Sequence, residues 1–139
     1  MWVRGQRQPS EPFDVDDTFD YRPAVAGPGE FDTHPAQFAL GLRLPGLRTM
    51  DVWADHARFG TGRTEIWDSI SYAHCRWADP DGNHAVAQSG PRRLWDEVEA
   101  AFEWWVKNDR PGPERFGLTV TTDGTHRAWL DDPAESWVI

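Results

Sequence analysis

Residues 91–107, PRRLWDEVEAAFEWWVK, decide the architecture. Leu94, Val98, Ala101 and Trp105 recur at helical spacing, Trp95 and Phe102 widen the stripe, and Asp96, Glu97, Glu99 and Glu103 fill the other side. One apolar stripe on an otherwise charged helix means a helix lying on a core. Pro91 suits the first helical position, where a missing N–H costs nothing. Early acids and the late Lys107 complement the helix dipole. Asn108, followed by Pro111-Gly112-Pro113, predicts the end.

Outward from this helix, both flanks read as hairpins. On the C-terminal side Phe116, Leu118 and Val120 alternate, Thr122-Asp123-Gly124 turns, and Ala128 and Leu130 return before Asp131-Asp132-Pro133. A three-residue loop with Gly124 left-handed sets Phe116 opposite Leu130 and Leu118 opposite Ala128. That register places apolar beside apolar. On the N-terminal side Ala73, Cys75 and Trp77 alternate with Tyr72, His74 and Arg76, Asp79-Pro80-Asp81-Gly82-Asn83 turns, and 84–88 return. Residues 64–70 predict a strand with Trp67 on the face opposite Ile66 and Ile70, and 49–54 predict another, with a turn at Gly60-Thr61-Gly62 between them.

Farther out, Phe38, Leu40, Leu42 and Leu44 alternate with Ala39, Gly41 and Arg43, which predicts a half-buried strand stopped by Pro45-Gly46. Residues 1–36 predict an extended arm. Five prolines interrupt its 8–36 stretch, yet Phe13, Val15, Phe19, Tyr21 and Phe31 supply too many apolar anchors for a disordered tail. The expected fold is α+β: an arm over 1–36, then a single domain over 37–139 built as a mostly antiparallel β-sheet with one long helix packed on one face.

A chain of 139 residues is long enough for one core without staples. Its net charge of −9, from 14 basic and 23 acidic residues, argues against nucleic acid and anionic membranes as partners. Such a balance suits a cationic or neutral partner such as a peptide. The single cysteine, Cys75, leaves no internal disulfide, and Met1–Arg7 lacks the apolar run of a signal peptide, so the expected location is cytoplasmic. Nine tryptophans exceed ordinary usage and serve cores and binding surfaces equally well.

Catalytic signals are weak. The five histidines form no helical pair with zinc spacing, so no metal site is expected. Cys75 with His84 or His74 as base is a conceivable nucleophile, but Cys75 belongs to the inward set of its strand, which favours an inert core thiol. The two short glycine clusters, 27–29 and 60–62, lack the strand-to-helix setting of a dinucleotide cradle. The Asp14–Asp20 run lacks the glycine and glutamate of a calcium loop. No catalytic or cofactor-binding residue is expected in this chain.

The run Pro91-Arg92-Arg93-Leu94-Trp95-Asp96-Glu97-Val98-Glu99-Ala100-Ala101-Phe102, with Trp104-Trp105, Arg115–Thr121, Asp123-Gly124 and Trp129-Leu130-Asp131, resembles the C-terminal region of actinobacterial enzymes related to protein L-isoaspartate O-methyltransferase. These enzymes accompany ribosomally made, post-translationally modified peptides, including lanthipeptides and graspetides. The likeness covers residues 90–132 well and 37–89 less specifically. Trp2–Arg7 is similar to the tail of the last strand of such a catalytic domain. The resemblance implies an accessory region that helps engage the modified peptide. S-adenosylmethionine would belong to an attached or partner methyltransferase domain, and no catalytic residue carries over.

The leading expectation is therefore a peptide-recognition domain, not catalytic by itself, with Trp67, His74, Arg76 and Trp104 as contact residues. Trp67 and Trp104 are read as an aromatic platform, or else as rings covered by the arm. Two rivals stand beside it: a small independent enzyme using Cys75 or a histidine, and a structural dimerisation domain that buries its tryptophans against a second copy.

Overall fold

A computed structural model describes residues 4–6, 19–53, 62–77 and 83–139. The main sheet contains β1 (Arg4–Gln6), β2 (Asp20–Pro23), β3 (Arg48–Trp53), β4 (Gly62–Trp67), β5 (Tyr72–Arg76) and β6 (Ala85–Ser89). Their order is β1-β3-β4-β5-β6-β2, antiparallel throughout except where β1 runs parallel to β3. Helix α2 (Leu94–Lys107) lies across β4, β5 and β6, with α1 (His34–Arg43) beside it. A second sheet, β7 (Phe116–Val120), β8 (His126–Leu130) and β9 (Ser136–Val138), follows in the order β7-β8-β9. The class is α+β. No helix among the described residues is long and apolar enough to cross a membrane.

The core lies where the expected α2 stripe meets the sheet. Leu94, Trp95, Val98 and Ala101 come down on Ile66, Ala73, Cys75 and Val86, and Phe31, Leu40 and Leu47 close the side. Each fully buried large aliphatic side chain contributes roughly 1.5–3 kcal/mol. The helix begins at Leu94 and not at Pro91, which sits in the preceding bend. A tertiary cap sets the start: the buried Gln88 side chain on β6 accepts the amides of Trp95 (2.7 Å) and Asp96 (3.4 Å).

Residues 38–44 are not a strand. Thr33 caps α1 by accepting the amide of Ala36 (3.4 Å), Pro35 stands in the first turn, and Ala36, Ala39 and Leu40 are the buried positions. The buried face follows three-and-four spacing through two alanines, while the period-2 leucines mislead because Phe38 is exposed and Leu42 only half-buried.

The remaining differences are local. The strand expected over 64–70 spans 62–67, and Ile70 lies exposed in the turn that follows. Among the described residues, one sheet with one helix becomes two sheets with two α-helices. The C-terminal hairpin separates because Pro111–Pro113 turns the chain away and β9, too short to show periodicity, completes its own sheet. The hairpin register is as expected, Phe116 opposite Leu130 and Leu118 opposite Ala128, with Gly124 at φ +84°.

Within the arm, Phe31 is buried edge-on against Trp95 (5.7 Å) and Phe102 (4.9 Å), and 20–23 join the sheet as β2. Phe13 and Val15, most of the Asp14–Asp20 run, the Gly60-Thr61 turn and the Asp79–Gly82 turn lie outside the described residues.

Candidate functional site

Three of the four sequence-predicted contact residues share one surface. The register pairs Trp67 with Tyr72 and Glu65 with His74, so Trp67, His74 and Arg76 project from the sheet face away from α2. Phe19 lies on the same face, with its ring edge-on to Tyr72 (5.7 Å) and tilted to His74 (6.2 Å). Glu65 is fully buried here. The Tyr72 hydroxyl donates to it, and an Arg63 Nη stands 3.4 Å away.

Burial pushes the His74 imidazole down to about 4, and the positive charges of Arg63 and Arg76 act in the same direction against Glu65. His74 is therefore neutral near pH 7. With Glu65 and Tyr72 both buried, the trio forms a hydrogen-bonded layer within the fold.

Trp104 is elsewhere. Its ring meets Trp137 edge-on (5.6 Å), and the Arg43 guanidinium lies 4.5 Å from Trp104 and 4.7 Å from Trp137. The Trp137 indole N–H donates to Leu42 O (2.7 Å). This joint ties β9 to α1 and α2, and Trp104 is half-buried within it.

Cys75 is fully buried on the helix side, and burial pushes its thiol up to about 12. His74 points to the opposite face. No described contact joins Cys75 to a histidine, and a thiol held that high is not a thiolate at neutral pH.

The feature that sequence reasoning missed is the outer edge of β7. Thr121 N donates to Thr125 O (2.9 Å) at one end of the hairpin, and Asp131 N donates to Arg115 O (3.0 Å) at the other. In an antiparallel ladder hydrogen-bonded pairs alternate. Arg115, Gly117, Thr119 and Thr121 therefore turn their backbone groups toward β8, while Phe116, Leu118 and Val120 turn theirs outward. The Phe116 amide is used by Pro113 O. That leaves the Phe116 carbonyl and both backbone groups of Leu118 and Val120 along an edge with no neighbouring strand among the described residues.

The same two residues expose their side chains, Leu118 at 62% and Val120 at 63%. The strand is held rigidly from behind. The Trp129 ring lies flat on Gly117, where a Cβ would come within 2.0 Å of it, and the Trp129 N–H donates to Thr119 Oγ1 (3.1 Å). Arg115 forks onto Asp131 (3.0 and 2.5 Å) and donates to Asn108 O at the end of α2 (3.0 Å). The signal in the sequence was the absence of charge and proline in FGLTV, which matters only once the strand is known to be an edge.

Comparison of the chain with protein-family models, curated proteins and solved structures finds no match.

Proposed function

We propose that this chain recognises a linear peptide by taking it up as an added strand along β7. In this reading it is the substrate-holding accessory part of a methyltransferase system acting on ribosomally made, modified peptides, and it is not catalytic by itself. S-adenosylmethionine binds the attached or partner catalytic domain.

The observation that carries the reading is the β7 edge, where outward backbone groups and exposed apolar side chains occur on the same residues. Main-chain pairing supplies affinity for any extended segment, and pockets for alternate side chains supply selection. The acidic balance of the chain favours peptides of neutral or positive charge. The resemblance of residues 90–132 to peptide-modifying methyltransferases supports the placement in that chemistry. The height of the Cys75 thiol pKa weighs against the rival enzyme that would use it.

The test is amide hydrogen exchange on the full chain with a binder selected from a library of linear peptides. The expected pattern alternates: Leu118 and Val120 amides slow on binding, while Gly117 and Thr119, already bonded to β8, do not change. Protection confined to the Trp67–His74–Arg76 face would replace β7 with that face as the site. Slowing of Leu118 that depends on protein concentration and needs no peptide would make β7 a self-pairing edge, and the dimerisation reading would then hold.

A further inference from the structure

On the face of the second sheet that carries Arg115, Gly117, Thr119 and Trp129, the row of side chains along β7 has a gap. Gly117 contributes no side chain there, and Trp129, its register partner on β8, fills the space above it. The indole atoms nearest the position of a Gly117 Cβ are Cζ2, Cη2 and Cε2, at 2.0 to 2.3 Å. Cζ2 and Cη2 form the far edge of the indole, remote from its own Cβ. The ring therefore reaches across from β8 and ends over the outermost strand. Its N–H, donating to Thr119 Oγ1 (3.1 Å), fixes its rotation. Trp129 is half-buried and packs with no other aromatic ring among the described residues.

A strand added to β7 brings one side chain to this ring edge. Both existing pairings of the second sheet are antiparallel. With Leu118 and Val120 bonding outward, Gly117 falls in a non-hydrogen-bonded pair of an antiparallel addition, where Cα atoms approach to about 4.5 Å and side chains are closest. The residue opposite Gly117 meets no side chain of its direct partner, and it meets the Cζ2–Cη2 edge of Trp129 instead.

The chemistry of that edge selects. An indole edge is the positive part of the ring quadrupole, so it attracts the face of another ring and repels a cation. Arg127 lies on the same face and adds to that repulsion. It donates to Ser136 Oγ (2.7 Å) and Ser136 O (2.9 Å) and has no carboxylate partner among the described residues, whereas Arg115 is paired with Asp131. A carboxylate would be drawn to the same edge, but a chain of net charge −9 opposes an anionic peptide. An aliphatic side chain gains buried area alone, and a flat ring gains the edge-to-face contact as well.

Resting on the peptide reading above, we propose that the peptide held on β7 carries an aromatic residue opposite Gly117, its ring face packed against the edge of Trp129, and that this contact sets the register of the added strand.

The experiment uses the full chain and linear peptides selected on it from a random library. In the tightest binder each aromatic residue in turn is replaced by cyclohexylalanine, which keeps the size and removes the π face, and by lysine. The expected result is one position where cyclohexylalanine weakens binding about two- to tenfold and lysine about tenfold or more. That ring should give nuclear Overhauser contacts to Hζ2 and Hη2 of Trp129, and the preference for it should vanish in Trp129→Leu. The peptide series on the unaltered chain decides the matter even if Trp129→Leu fails to fold. Two results overturn the proposal: tight binders that lack an aromatic residue or tolerate cyclohexylalanine at every position, or a preferred ring that contacts another part of the chain. Amide exchange on the same complexes separates this failure from that of the β7 site. Slowed Leu118 and Val120 amides would leave β7 as the site and remove only the aromatic preference. Unchanged amides would remove the site and the preference together.

Discussion

Strands β2 and β7 are both sheet edges, and the chain treats them in opposite ways. On β2 the bond from Ala24 N to His84 O (2.8 Å) fixes the alternation, so Tyr21 and Pro23 face outward. Pro23 has no N–H to offer, and its carbonyl is taken by the Arg22 guanidinium at 2.8 Å. Arg22 also forks onto Asp96 (3.0 and 2.5 Å) and reaches Glu99 (2.5 Å), which clamps the strand to α2. On β7 the outward residues are Leu118 and Val120, and neither proline nor a charged residue interrupts the strand. Unprotected edges are aggregation hazards that proteins ordinarily blunt. Protection at one edge and its omission at the other is what makes β7 a candidate for use.

The first way to break this contrast is to loosen β2. Phe31 anchors the segment that follows it, wedged between Trp95 and Phe102. Phe31→Ala removes a buried ring and leaves a cavity, with an expected loss of about 3–5 kcal/mol. Urea unfolding followed by circular dichroism measures it. A loss below about 1 kcal/mol would mean that the arm is not held by this ring, a value typical of sites outside the core.

A second test acts through protons on the same side of the molecule. His74 lies against Phe19, immediately before β2, and its folded pKa of about 4 is below the unfolded value. Between those values the unfolded chain binds more protons, so stability is full above about pH 6.5 and falls as pH drops toward 4. The expected loss from this group is about 1–3 kcal/mol. His74→Gln should remove that part of the slope. An unchanged slope in the variant would show that His74 titrates normally in the folded chain.

Several of these features could be read from the sequence for identifiable reasons. The β7–β8 register was legible because Gly124 permits one loop and the alternation permits one pairing. Trp67, His74 and Arg76 fell on one face because strand parity alone puts them there. The α1 segment was misread because its buried face is made of Ala36 and Ala39, which carry little hydrophobic signal, while larger side chains alternated beside them. The surroundings of Trp104 were not legible because Arg43 and Trp137, which pack on it, are remote in the chain. Edge status depends on what is not adjacent, and local sequence does not encode that.

The smallest change in stability belongs to the sharpest test of function. Leu118→Lys places a charge on the exposed β7 edge, the device by which natural edges refuse a partner strand. Leu118 is 62% exposed, so the fold should change by no more than about 0.5 kcal/mol. Peptide uptake at β7 should be lost. The matching control is Tyr21→Lys on β2, also an outward edge residue and 69% exposed. If pairing at β7 is the mode of recognition, the control binds peptide like the unaltered chain although both variants gain the same charge. Equal weakening in the two variants would mean that added positive charge alone repels the peptide, and the contrast between the edges would then have no bearing on binding. Calorimetric titration of both variants against the same selected peptide separates the two outcomes, because the charge gained is identical and only the edge differs.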